Sequence, residues 1–141
     1  MPVPPQLQRI VDLFASAPEN LLVPALLDYV DKIPPLPDEL SSADALERVQ
    51  ECQSPFFVAT RVDDGRVSLY FDAPKEAPTT RSYAGILYSG LNGATVEEIL
   101  DVPSDFYLQM GLGRVITPLR LRGMSAILAT IKRQVREHAA A

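Results

Sequence analysis

Apolar positions near the start of the chain recur at helical spacing. Leu7, Ile10, Val11 and Phe14 fill the i, i+3, i+4, i+7 template, which predicts an amphipathic helix opening after Pro4-Pro5. Ser16-Ala17-Pro18-Glu19 reads as a capping box for a second helix, with Leu22, Leu26, Tyr29, Val30 and Ile33 on its buried side. Pro24 falls inside that helix and predicts a kink or a delayed start, because proline lacks the N–H and clashes one turn back. Pro34-Pro35-Leu36-Pro37 ends it in stiff, extended backbone. An acidic loop from Asp38 to Asp44 follows.

The period then changes from helical to strand-like. Leu46 to Val49 predicts a first strand and Phe56 to Val62 a second. Asp63-Asp64-Gly65 is a hairpin signal, since glycine supplies positive φ at no steric cost. On the return, Val67, Leu69, Phe71 and Ala73 alternate with Arg66, Ser68, Tyr70 and Asp72, a half-buried strand. Helical patterning resumes at Ala77-Pro78-Thr79-Thr80 and stops near Gly90. Thr95 to Glu98 forms a capping box for a short helix ending near Asp101. Ser104 or Asp105 caps a further piece, Phe106 to Met110, before Gly111-Leu112-Gly113 breaks the chain. Thr117 as N-cap and Pro118 at the first helical position open the longest helix, with Met124, Ile127, Leu128, Ile131 and Val135 as its buried stripe. Lys132, Arg133 and Arg136 suit the negative end of its dipole, and Ala139 to Ala141 are expected to fray. The order of helix pair, small antiparallel sheet, then helices indicates an α+β fold with helices covering one sheet face.

Gly123 stands inside the last helix, where it costs roughly 1 kcal/mol relative to alanine. That cost predicts a close approach by another segment, with the loop around residue 52 as the candidate.

The length of 141 residues suits one compact domain, 1–141, and the composition, 47% hydrophobic and 22% charged, is that of a globular chain. No apolar run reaches the roughly 20 residues of a membrane span, and the first residues show no secretory signal. A net charge of −5 argues against nucleic acid, which recruits basic surfaces. The charge is uneven: residues 1–64 carry 4 Lys/Arg against 11 Asp/Glu, and residues 65–141 carry 9 against 7. An acidic, solvated face explains this, and a partner with a basic surface fits it as well.

Counting removes most thiol chemistry. There is one cysteine, Cys52, and one histidine, His138, so no zinc set, no Cys-x-x-Cys pair and no internal disulfide can form. An unpaired thiol fits a reducing cytoplasm. His138, three residues before the last, is expected to be exposed rather than a base for Cys52. No Gly-rich phosphate loop or nucleophile elbow is present. Cys52 lies in Gln50-Glu51-Cys52-Gln53-Ser54, at the mouth of a strand and at the sheet end opposite the Asp64-Gly65 turn. Two readings stand on local sequence: a buried structural cysteine, or a reactive thiol presented at a turn.

Cys52-Gln53-Ser54 before an apolar strand resembles the SufE-type cysteine desulfuration proteins. Leu36-Pro37 and the run Leu112 through Ile116-Thr117-Pro118-Leu119-Arg120, with Gly123-Met124, agree in order and spacing across nearly the whole chain. Glu51 departs from that pattern, where glycine is usual, and so does Pro55. The resemblance implies a SufE/IscU-like α+β fold and a sulfur acceptor. Its Cys52 would take a persulfide sulfur from a pyridoxal-phosphate-dependent, SufS-like cysteine desulfurase and pass it to an iron–sulfur scaffold. Attack on a persulfide resembles thiol–disulfide exchange and needs no dedicated proton shuttle. The cofactor would belong to the donor, so none is expected on this chain. Arg120 aligns with the arginine of Thr-Pro-x-Arg, either as a structural contact or as a charge favouring the thiolate together with the nearby helix N-terminus. Glu51 would oppose the thiolate, and the net sign is open. Phe56, Phe57 and the Met124 end of the last helix are the expected apolar shelter for the sulfur. Two other functions remain on the residues alone: a regulatory binding partner in which Cys52 is structural, and a peroxide-sensing thiol, which the lack of a resolving cysteine disfavours.

Overall fold

A computed structural model describes residues 3–40 and 45–140. Two helices open the chain, α1 (Pro5–Ala15) and α2 (Glu19–Leu27), followed by a short 3-10 turn at Asp38–Leu40. Three antiparallel strands come next: β1 (Glu47–Arg48), β2 (Phe57–Asp63) and β3 (Arg66–Asp72), in the order β1-β2-β3. Then come α3 (Pro78–Leu91), α4 (Val96–Asp101), two 3-10 turns at Phe106–Met110 and Leu112–Arg114, and α5 (Pro118–Ala140). The fold is α+β, as the periodicity predicts.

α1 buries Leu7, Ile10, Val11 and Phe14, its predicted stripe. The hairpin has Asp63 opposite Arg66, and both loop residues, Asp64 (φ 55) and Gly65 (φ 78), are left-handed. Positive φ at both positions is the type I′ arrangement that follows the strand twist. Val67, Leu69 and Phe71 of β3 point into the core while Arg66 and Asp72 are exposed. α5 packs on β2 and α3 on β3, so one sheet face is covered by helices. Met124, Ile127, Leu128, Ile131 and Val135 of α5 are all buried, and one contiguous hydrophobic cluster joins helices and sheet.

Four local expectations need correction. Ser16 does not cap α2: it closes α1, its hydroxyl donating to the Leu13 carbonyl oxygen, and Pro18 precedes α2 without a side-chain cap. α2 keeps Pro24 inside but ends at Leu27, well before Ile33. Beyond it the backbone switches to i→i−3 bonds, Tyr29 N–H to Leu26 O and Val30 N–H to Leu27 O. α3 lies hard against that turn. A Cβ at Gly85 would come within 2.0 Å of the Tyr29 carbonyl oxygen, and Arg81 Nε donates to the Val30 carbonyl oxygen at 2.9 Å. Arg81 of α3 takes up the Val30 carbonyl there, and the Tyr29 carbonyl accepts from Lys32 N–H in a further i→i−3 bond, where periodicity alone predicts more helix. Neither Ser104 nor Asp105 caps a helix, because Phe106–Met110 is a 3-10 turn with no side-chain cap. α5 remains helical through Ala140, so the expected fraying does not appear at Ala139 and Ala140. Residues 41–44 of the acidic loop, and Ala141, lie outside the described residues.

The predicted capping box at Thr95 is present in both directions, Glu98 N–H to Thr95 Oγ1 and Thr95 N–H to Glu98 Oε1. Arg133, read from the sequence as a helix-terminus cation, instead straps α5 to the sheet edge through Glu47, with Glu137 beside it. Gln134 adds to the strap, donating to Glu47 Oε1 and to the Val58 carbonyl oxygen.

Candidate functional site

Cys52 sits on the connection between β1 and β2, at the sheet end opposite the Asp64-Gly65 turn. Arg48 pairs with Phe57, and Val49 N–H donates to the Phe56 carbonyl oxygen at 2.9 Å, closing the ladder. A tight turn follows, with Cys52 N–H donating to the Val49 carbonyl oxygen at 3.2 Å. Val49 and Phe56 are buried anchors, while Gln50, Glu51, Gln53 and Pro55 are exposed. The sequence thus fixes both feet of the loop in the core and leaves its tip to solvent, with Cys52 turned inward and 7% exposed.

The inward side is α5. The Cys52 thiol donates a long contact, 3.9 Å, to the carbonyl oxygen of Gly123. The close approach expected at Gly123 is therefore made by the cysteine loop. An accepting carbonyl faces the sulfur, not the free N–H groups of the helix start, and a carbonyl favours the protonated thiol.

Burial pushes the thiol up to about 11, the Glu51 carboxylate adds to the rise, and the Arg48 guanidinium opposes it. Burial and Glu51 together outweigh Arg48, which favours the neutral thiol in the resting loop. Arg48, which the sequence reading passed over, is the cation that counters the shift. Its place on β1, four residues before the cysteine, is visible only once β1 and the loop are built.

Arg120 lines the same cavity as Cys52. It is exposed, its Nη1 donates to Thr79 Oγ1 at 3.3 Å, and its own N–H donates to Thr79's counterpart at the helix start, Thr117 Oγ1, at 3.4 Å. The second bond is the predicted Thr117 cap.

The cavity encloses about 200 Å³ among three segments: the cysteine loop, the start of α3 and the start of α5. Ala77, Pro78 and Leu119 form its apolar wall, and Glu51, Glu76, Thr79, Thr80 and Arg120 its polar one. Phe56 and Met124 share the buried cluster that holds Cys52, Phe57 is half-buried, and the sulfur lies against Gly123 beside Met124, while none of the three side chains lines the cavity. The sequence reading treated Ala77 to Thr80 only as a helix start, and no local signal marks it as a wall of the cysteine site.

His138 is exposed on α5 and lines a different depression. Among the described residues no group of three or more His, Cys, Asp or Glu is placed to hold a metal ion, and no helix is long and apolar enough to cross a membrane. What this arrangement offers chemically is one sheltered, neutral thiol on a short loop beside a small cavity of mixed polarity.

Comparison with known proteins bears on that thiol. Residues 8–135 match the family model described as SufE, Fe-S metabolism associated domain. The chain is 47% identical over 136 residues to an uncharacterized SufE-like protein of Mycobacterium tuberculosis, covering 96% of this chain and 94% of that one. It is 26% identical over 132 residues to the cysteine desulfuration protein SufE of Plasmodium vivax, covering 91% of this chain and 52% of the relative. A solution structure of a hypothetical protein from Thermus thermophilus superposes with a TM-score of 0.88 at 46% identity, covering 99% of both chains.

Proposed function

The chain belongs to the SufE family, and from that premise we propose that it is a sulfur carrier. In this reading Cys52 takes the outer sulfur of a persulfide on a pyridoxal-phosphate-dependent cysteine desulfurase of SufS type and delivers it to iron–sulfur cluster assembly. The observation that carries the reading is the placement of the one cysteine: inward-facing on a short loop whose tip is exposed, and beside a cavity. Residues 1–141 act as one unit in the cytoplasm, without a cofactor of their own.

The chemistry asks little of the chain. The Cys52 thiolate attacks the outer sulfur of the donor persulfide; a new S–S bond forms on Cys52, and the bond to the donor's sulfur breaks. The donor cysteine leaves as thiolate, so a sulfane sulfur changes carrier with no net oxidation. At rest the thiol is held neutral by burial and by Glu51. The loop therefore opens on docking, which moves the sulfur away from the Gly123 carbonyl and into reach of the donor. Gln53 and Ser54 bury little, so opening costs little. Partner binding selects the open loop by contacting it only in that state. Arg120, at the wall of the same cavity, favours the thiolate of Cys52 once the loop has opened.

Intact mass spectrometry after incubation with a desulfurase and cysteine tests the reading. A gain of roughly 32 Da on the peptide holding Cys52 is expected, with none in Cys52→Ala. A second reading has one observation in its favour: a thiol 7% exposed and packed on a helix backbone is also what a structural cysteine looks like. In that case the chain regulates a desulfurase by binding alone, and stimulation of sulfide release survives in Cys52→Ala.

A further inference from the structure

The cavity beside Cys52 is larger than one sulfur atom needs. Its volume of about 200 Å³ leaves room for a small molecule beside the sulfur. Its charged walls are of opposite sign. Glu51 on the cysteine loop and Glu76 before α3 supply carboxylates, while Arg120 on α5 supplies a guanidinium with the Thr79 and Thr80 hydroxyls near it. Arg120 spends one donor on Thr79 and retains others, since a guanidinium carries five N–H groups. A cysteine presented by a partner protein brings neither a free ammonium nor a free carboxylate, because both are tied up as amides. Opposite charges in so small a space match the free ends of an amino acid instead.

We propose that this cavity is also a binding site for a small zwitterionic thiol, of which free cysteine is the chemical type. The ammonium is held by Glu51 and Glu76, the carboxylate by Arg120 and the Thr80 hydroxyl, and the thiol is directed at Cys52. The inference rests on the carrier reading above. The bound thiolate attacks the outer sulfur of the Cys52 persulfide; the new S–S bond forms on the small thiol, and the bond to the Cys52 sulfur breaks. Cys52 leaves as thiolate and takes up the proton that the incoming thiol released to water. The product is a low-molecular-weight persulfide, a second exit for the sulfur that requires no scaffold protein.

The test begins with the full chain loaded to its 32 Da adduct by inorganic polysulfide, a route independent of any desulfurase. Loss of the adduct is followed by intact mass spectrometry against thiol concentration. The expected rate saturates with cysteine but rises linearly with 2-mercaptoethanol at matched thiolate concentration. The variant Glu76→Gln should raise the half-saturating cysteine concentration about tenfold, equivalent to about 1.4 kcal/mol, while the dependence on 2-mercaptoethanol stays linear. A strictly linear dependence on cysteine, following thiolate concentration alone, overturns the proposal. Serine, a shape match without the thiol, provides a readout free of sulfur chemistry. It should shift the backbone amide resonances of Thr80 and Arg120 in the unloaded chain, and unmoved resonances overturn the site. Serine binding in a chain that takes no sulfur from a desulfurase would support the site while overturning the carrier reading.

Discussion

The sulfur of Cys52 and the backbone of Gly123 are in direct contact across 71 residues of sequence. The thiol lies 3.9 Å from the Gly123 carbonyl oxygen, and a Cβ built on Gly123 would meet Sγ at 3.3 Å. The helix gives up about 1 kcal/mol of propensity to let the loop lie down on it. The following predictions use that contact and its surroundings.

Gly123→Ala should loosen the cysteine loop without unfolding the chain. The added methyl presses on Sγ, and on the Cys52 Cα and Glu51 carbonyl oxygen at 3.7 Å each, all of them parts of a short loop that can lift. The gain in helix propensity offsets the crowding, so the melting temperature should move by only a few degrees, while alkylation of Cys52 accelerates several-fold. Unchanged alkylation would show that the contact does not hold the loop down.

Alkylation should also report the raised pKa of Cys52. Burial and Glu51 lift the thiol from an ordinary value of 9.0 to about 11. Alkylation of the free chain therefore keeps rising with pH beyond 9, and Glu51→Gln moves the profile to lower pH. Stability follows with a definite sign. Between about 9 and 11 the unfolded thiol has lost its proton and the folded one has kept it, so stability falls as pH rises through that window. Cys52→Ala should remove that part of the slope, as seen in denaturant midpoints measured across the window.

Arg120→Ala should slow sulfur acceptance from a desulfurase more than it lowers stability. The side chain is exposed and makes one long bond to Thr79, so a loss of roughly 0.5 kcal/mol or less is expected. Single-turnover transfer should fall by a larger factor, with Arg120→Lys recovering part of it. Equal losses of melting temperature and transfer would assign Arg120 to structure alone.

Gly85→Ala should be among the most destabilising single changes in the chain. A Cβ there would lie 2.0 Å from the Tyr29 carbonyl oxygen, with the Tyr29 backbone carbon at 3.0 Å, and backbone cannot swing aside as a side-chain tip can. A loss of about 3 kcal/mol or more is expected, measured by urea denaturation. A stable Gly85→Ala chain would mean that α3 and the turn after α2 slide apart readily.

Much of this protein was legible in its residues because the signals are local. Leu7 to Phe14 needed only the 3.6 period, and Asp64-Gly65 only the steric freedom of a left-handed turn. Thr95 with Glu98, and Thr117 with Pro118, marked helix starts by unsatisfied N–H groups that their own side chains serve. Counting one cysteine and one histidine narrowed the chemistry to a lone thiol, and the Cys-Gln-Ser and Thr-Pro-x-Arg motifs carried the family. What tertiary structure alone decided was contact between distant segments. The turn after α2 packs against α3, with Gly85 against the Tyr29 carbonyl and Arg81 on the Val30 carbonyl, contacts that no window around residue 29 contains. The state of Cys52 is of the same kind. A thiol's charge depends on what replaces its water, and here that is the Gly123 carbonyl, the Glu51 carboxylate and Arg48, brought together by the β1–β2 ladder and α5. The cavity wall at Ala77 to Thr80 likewise exists because α3 starts beside α5. Sequence periodicity records which face of an element is apolar; it does not record which element that face will meet.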